Sequence, residues 1–175
     1  MTDNLHYEAA FEDALRRRQR PFLRVDEQRR AEFSGSRVKS FDFVVHQPDG
    51  GGWLVDVKGR KFPYDLPSGR HFWENWVTDD DVSGLTAWEG EFGPQFPAMF
   101  VFAYWLTLPG LESLLPGTHR FRDRTYAFLA LPAALYRTQA RRRSDRWGTV
   151  FLPASVFRSE ARPVFPATDA LPAAG

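Results

Sequence analysis

The chain has 175 residues, 43% of them apolar and 15% aromatic, which suits one domain with an ordinary core and excludes a disordered chain. Its formal net charge of +1 gives no overall polycation character that would by itself imply a nucleic-acid partner. Cysteine is absent, which excludes a disulfide framework, a thiol nucleophile and a thiolate metal site.

Residues 4 to 20 read as a helix, capped by Asn4 or Asp3, stopped by Pro21, and striped by Tyr7, Phe11, Ala14 and Leu15. A strand is predicted from Phe22 to Gln28, and a β-hairpin from Arg37 to Arg60. The hairpin's turn is the run Gln47-Pro48-Asp49-Gly50-Gly51-Gly52. Residues 61 to 76 are aromatic and loop-like. Thr78-Asp79-Asp80-Asp81 has the composition of a helix N-terminus, and that helix is expected to run to about Phe92, ahead of Gly93-Pro94. Pro97 to Leu106 is nearly all apolar, which predicts a central strand covered on both faces. Thr125 to Leu131 reads as a further strand, Pro132 to Arg142 as a helix and Trp147 to Leu152 as a last strand. The domain is expected to end at residue 161, with a loose Pro/Ala-rich tail over residues 162–175. This order predicts a single α/β domain, a mixed sheet with helices on its faces.

The polar start is not a signal peptide, and the longest apolar run, Ala98 to Leu108, is too short for a bilayer. The expected location is therefore the cytoplasm, with no membrane partner. The basic clusters Arg16-Arg17-Arg18-Gln19-Arg20, Arg29-Arg30 and Arg141-Arg142-Arg143 read first as solvated helix ends, although arginine also suits bidentate phosphate contacts.

The hairpin carries the chemistry. If it is symmetric about Asp49, Asp42 and Asp56 oppose each other across its strands, an arrangement that destabilises a sheet unless a cation lies between them. Alternation along the second strand puts Lys58 on the face of Asp56 and Leu54, with Trp53, Val55 and Val57 on the other.

An aspartate, thirteen intervening residues and Asp56-Val57-Lys58, on a hairpin preceded by a helix bearing glutamates, resemble the PD-(D/E)XK nuclease superfamily. Phe41 stands where that motif's proline would be. The opening His6-Tyr7-Glu8-Ala9-Ala10-Phe11-Glu12 also resembles a family named for its His-Tyr-Glu-x-Ala-Phe-Glu motif, a kinship that brings no activity with it.

The nuclease resemblance implies a restriction-endonuclease-like fold, a mixed central sheet flanked by helices. It implies a site for Mg²⁺, or Mn²⁺ in its place, with Asp42, Asp56 and the backbone carbonyl of Val57 as ligands. Hard oxygen donors suit that ion. It also implies that Lys58 serves the attacking water and that a helix glutamate completes the acidic site. Glu8 lies about 20° from Leu15 around the helix, at the border of the apolar stripe, and is preferred over Glu12, which is kept as second choice. The substrate class implied is DNA. Many relatives of this kind work as dimers, so a homodimer is among the expectations, yet no residue here marks an interface.

Other candidates read more plainly. His6 is a helix-start residue, and His46 and His71 lack metal-ligand spacing. Asp79, Asp80 and Asp81 read as helix N-terminal acids rather than a second metal cluster. Trp73, Trp76 and Trp88 read as core or loop anchors rather than base-stacking platforms. Arg60 and Lys61, at the strand end beyond Lys58, are candidate phosphate contacts.

Overall fold

A computed structural model describes residues 5–25, 31–33, 36–65 and 71–166. Helix α1 spans Leu5–Arg17, one turn shorter at its C-terminal end than the sequence suggests. Gln19 takes a left-handed φ of 54° there, the Arg20 amide reaches back to the Leu15 carbonyl at 3.0 Å, and Pro21 follows. Strand β1 is Phe22–Arg24, ending before Val25; residues 26–30, with Arg29 and Arg30, lie outside the described residues. Ala31–Phe33 (β2) and Ser36–Val38 (β3) pair with each other, so the hairpin of interest starts later than Arg37.

That hairpin is Phe43–His46 (β4) and Gly52–Phe62 (β5). Its register pairs Phe43 with Val55 and His46 with Gly52, which is the predicted symmetry about Asp49. Gly50 and Gly51 adopt φ of 93° and 73° in the turn, backbone that only glycine takes without strain. The stretch expected as loop holds short strands: Tyr64–Asp65 (β6) paired with His71–Phe72 (β7), then Val77–Thr78 (β8).

Helix α2, Asp79–Phe92, starts in a capping box: the Asp81 amide donates to the Thr78 hydroxyl at 3.1 Å, and the Thr78 amide to the Asp81 carboxylate at 2.8 Å. Gly93 ends it at φ 84°. The apolar run forms β9, Ala98–Leu106, and lies parallel to β5. His119–Phe121 (β10) and Arg124–Pro132 (β11) follow.

The third helix is shorter than predicted. Helix α3 is Ala133–Gln139, and Arg141–Ser144 is a strand, β12, paired with β13, Thr149–Phe151. Pairing with β13 gives Arg141 and Arg142 ladder partners and keeps their side chains exposed, which outweighs arginine's good helix propensity. A short helix, Ala154–Glu160 (α4), comes next. Arg162–Pro163 (β14) then pairs with β11, and Phe165 is 1% exposed, so the first residues of the expected tail belong to the fold; 167–175 lie outside the described residues.

The main sheet runs β1-β4-β5-β9-β11-β10, with β14 beside β11; all its pairs are antiparallel except β5 with β9. This is the mixed central sheet flanked by helices that the sequence implies. On one face Phe43, Val55, Val57, Val101 and Phe128 pack under Tyr7, Phe11, Ala14 and Leu15 of α1. On the other, Leu54, Phe100, Phe102 and Tyr104 pack with Leu85, Tyr136 and Phe157 of α2, α3 and α4.

A buried polar tie fastens α1 to β10. One ring nitrogen of His119 lies 2.7 Å from the Asp13 carboxylate, and burial holds the imidazole below its ordinary pKa. No described helix is long and apolar enough to cross a membrane.

Candidate active site

Asp42 stands one residue before β4, where the regular ladder ends. Its amide donates to the Val55 carbonyl at 2.8 Å, and its carbonyl accepts from the Val25 amide at 2.8 Å. The Val57 amide, which would otherwise look for a partner beyond the end of β4, donates to the Asp42 carboxylate at 2.6 Å. A hydrogen bond from a backbone N–H to a charged carboxylate is among the stronger kinds, and it fixes the Asp42 side chain against the second strand.

Asp56 and Lys58 project from β5 onto the other face, as alternation requires. Asp56 is 5% exposed, and the Lys58 ammonium lies 2.7 Å from its carboxylate and 3.0 Å from that of Asp81. Lys58 thus bridges Asp56 to Asp81 of α2, and no ion pair joins it to Asp42 among the described contacts. Lys39 forms a further ion pair with Asp81.

Burial raises the pKa of Asp56, with Lys58 opposing the rise and Asp81 reinforcing it. For Lys58 burial works against the charge, yet the two carboxylates outweigh it and lift its pKa above the ordinary lysine value. Asp81 is depressed well below the carboxylate range, because Lys58 and Lys39 outweigh its burial. Lys58 and Asp81 are thus charged at neutral pH, and Asp56 is the group whose ionisation the surroundings resist.

Glu8, Asp42, Asp56, Val57 and Lys58 line one cleft of about 930 Å³, together with Thr78, Asp79 and Asp80 at the start of α2 and with Trp147. Glu12 is not among the lining residues. It is held by Arg16 at 2.6 Å and by Arg24 at 2.8 Å, whereas Glu8 meets Arg24 at 3.4 Å. Helix α1 covers the face of Val55 and Val57, and the helix facing Asp56 and Lys58 is α2.

Asp81 and Lys39 went unrecognised in the sequence. Asp81 is accounted for there as a cap, yet its four-residue spacing to Leu85 already places it on the inward side of α2, where Asp81, Gly84 and Leu85 are buried. Arg60 is not an open phosphate contact. Its guanidinium donates to the Trp76 and Gly59 carbonyls and lies 4.0 Å over the Trp76 ring. Lys61 points to the opposite face, over Trp105 at 5.2 Å.

Trp73 stacks on Phe62 at 3.6 Å, Trp88 donates to the Lys39 carbonyl at 3.0 Å, and both serve as anchors. His6 bonds the Tyr126 hydroxyl at 2.8 Å; the side chain of His71 lies outside the described ones.

Among the described residues no three His, Cys, Asp or Glu side chains cluster closely enough to hold a metal by themselves. The donor chemistry nonetheless fits Mg²⁺, which is commonly held by one or two carboxylates and completes its shell with water and phosphate oxygens. Two aspartates lining one cleft meet that requirement.

No family model matches the chain, and no curated protein does. Among solved structures, the Holliday junction resolvase Hjc of the archaeal hyperthermophile Archaeoglobus fulgidus is similar to it at 18% identity. The match covers 89% of this chain and 93% of that one at a TM-score of 0.47, a likeness too remote to carry an argument.

Proposed function

We propose that the chain is a metal-dependent nuclease of the PD-(D/E)XK kind that hydrolyses phosphodiester bonds in DNA. The observation that carries the reading is convergence. Glu8 from α1, Asp42 before β4, and Asp56 and Lys58 from β5 line the same cleft, with Val57 between the last two. Asp42 and Asp56 would hold Mg²⁺, with the Val57 carbonyl as a further oxygen ligand. When bound, the ion would polarise the scissile phosphate and acidify a water.

The protein's own groups do the rest. The Asp42–Val57 hydrogen bond keeps one carboxylate oriented before any ligand arrives. Lys58 is held protonated by Asp56 and Asp81, so it acts as a fixed cation and N–H donor toward phosphate oxygens as negative charge develops, not as a base. Glu8 adds negative charge at the rim, where Arg24 moderates it.

One observation favours a second reading, a non-catalytic binding protein on the same fold: Lys58 already neutralises Asp56 and Asp81 from within. Incubation with single-stranded and duplex DNA and with RNA, in Mg²⁺, in Mn²⁺ and in EDTA, separates the two. The nuclease reading expects cleavage of DNA that EDTA abolishes. Intact substrates under every metal condition would overturn it in favour of the second.

A further inference from the structure

Trp147 sits at the tip of the β12–β13 hairpin and is 67% exposed, while the other five tryptophans of the chain are at least partly buried. Trp147 lines the same cleft as Asp42, Asp56 and Lys58. Single apolar side chains are exposed elsewhere too, Leu114 at 77% among them, but among the described residues Trp147 is the one of these large exposed side chains that also lines the cleft.

The hairpin that carries it is firmly tied to the catalytic cleft. Gly148 turns the chain at φ 53°, and its amide donates to the Asp145 carbonyl at 3.2 Å. The Gly148 carbonyl accepts from the Asp79 amide at 2.8 Å, Arg142 grips the Asp79 carboxylate at 2.6 Å, and β13 pairs with β8 directly before α2. The turn holding Trp147 and the helix start holding Asp81 are therefore one unit.

The hairpin is basic. Arg146 lies 5.1 Å from the Trp147 ring, and Arg141, Arg142 and Arg143 are exposed along β12. Arg142 is matched by Asp79 and by Asp145 at 3.5 Å, and Arg143 leans toward Glu74 at 3.9 Å. Of the hairpin's own arginines, Arg141 and Arg146 are the two for which no carboxylate stands within ion-pair distance among the described residues.

An aromatic platform with a guanidinium beside it, as Arg146 is, is suited to stacking on a nucleobase while gripping an adjoining phosphate. A base inside a duplex is already stacked on both faces and offers no face to a side chain. We infer that Trp147 stacks on an unpaired base next to the phosphate in the cleft, which makes single-stranded DNA, or the single-stranded part of a larger DNA, the substrate class. This rests on the nuclease reading for the identity of the cleft.

The test separates the two. Binding of fluorescein-labelled oligothymidine and of a blunt duplex is measured by anisotropy in EDTA, where nothing is cut, for wild type, Trp147→Ala and Trp147→Phe. Trp147 is exposed, so both variants should fold as wild type does. Trp147→Ala should weaken single-strand binding about tenfold, the weight of one stacked base, with Trp147→Phe recovering most of it and duplex binding nearly unchanged. Equal losses on both forms, unchanged single-strand affinity, or no wild-type binding to oligothymidine would overturn the inference. Cleavage assayed in parallel with Mg²⁺ distinguishes the failures. Cutting with unchanged Trp147→Ala binding removes this inference alone, whereas Trp147-dependent binding without cutting supports it and removes the nuclease reading.

Discussion

With its ammonium 2.7 Å from Asp56 and 3.0 Å from Asp81, Lys58 is the counter-charge for two buried carboxylates. Taking it away leaves them facing each other in a poorly solvated place. Lys58→Met should therefore lower unfolding stability by about 3 kcal/mol at neutral pH, as breaking a buried ion pair from one side generally does. The sign of the pH dependence follows from Asp56. Burial raises its folded pKa, so its ionisation costs stability as pH climbs above the unfolded value of about 3.9. Without Lys58 to oppose that rise the cost grows, and the deficit of the variant should be larger at pH 8 than at pH 5 in urea titrations. An equal deficit at both would show that Lys58 does not compensate Asp56. The same coupling makes Lys58 a poor choice for testing catalysis, since lost folding would imitate lost chemistry. Lys58 and Asp56 were legible as a pair from their spacing on one strand. Their partner Asp81 was hidden because a cap already explained it.

At the level of elements, the turn Gln47–Gly52 set the hairpin register, and the alternation Leu54-Asp56-Lys58 set which side chains share a face. What alternation could not tell was which helix covers that face, because a sheet with helices on both sides offers two answers. The end of β5 shows how close the other cover comes. A methyl group at Gly59 would land on the Tyr7 ring of α1. Gly59→Ala should lose about 2 kcal/mol by overpacking, although alanine is otherwise the better strand residue. Tyr7→Leu in the same chain should recover part of the loss, a coupling that a double-mutant cycle in urea reads directly. Strictly additive losses would mean that the two do not touch. The Arg141–Ser144 strand was illegible for a different reason: arginine favours helices, and only the availability of β13 as a partner decides otherwise.

For the whole molecule, the fold closes on two apolar layers, and the layer under α1 is completed from far along the chain. Phe165 lies 6.1 Å from Phe11 and 5.8 Å from Phe128, ring to ring, beneath the Arg18 guanidinium at 4.4 Å. Pro/Ala-rich composition concealed this, because two apolar side chains in a polyproline-like stretch carry no periodicity. Phe165→Ala should cost about 3 kcal/mol and lower the Tm by several degrees; an unchanged melting curve would remove Phe165 from the core. On the nuclease reading, the whole assembly would present Asp42 and Asp56 to a divalent ion beside Lys58. Asp42→Asn tests it most directly, because asparagine keeps an oxygen to accept the Val57 amide and removes only the charge. With the fold checked by circular dichroism, wild type should cleave DNA in Mg²⁺ and the variant should be at least about 100-fold slower, the scale of losing a group that stabilises transition-state charge. Cleavage by Asp42→Asn at the wild-type rate would show that the Asp42 charge holds no ion needed for the reaction.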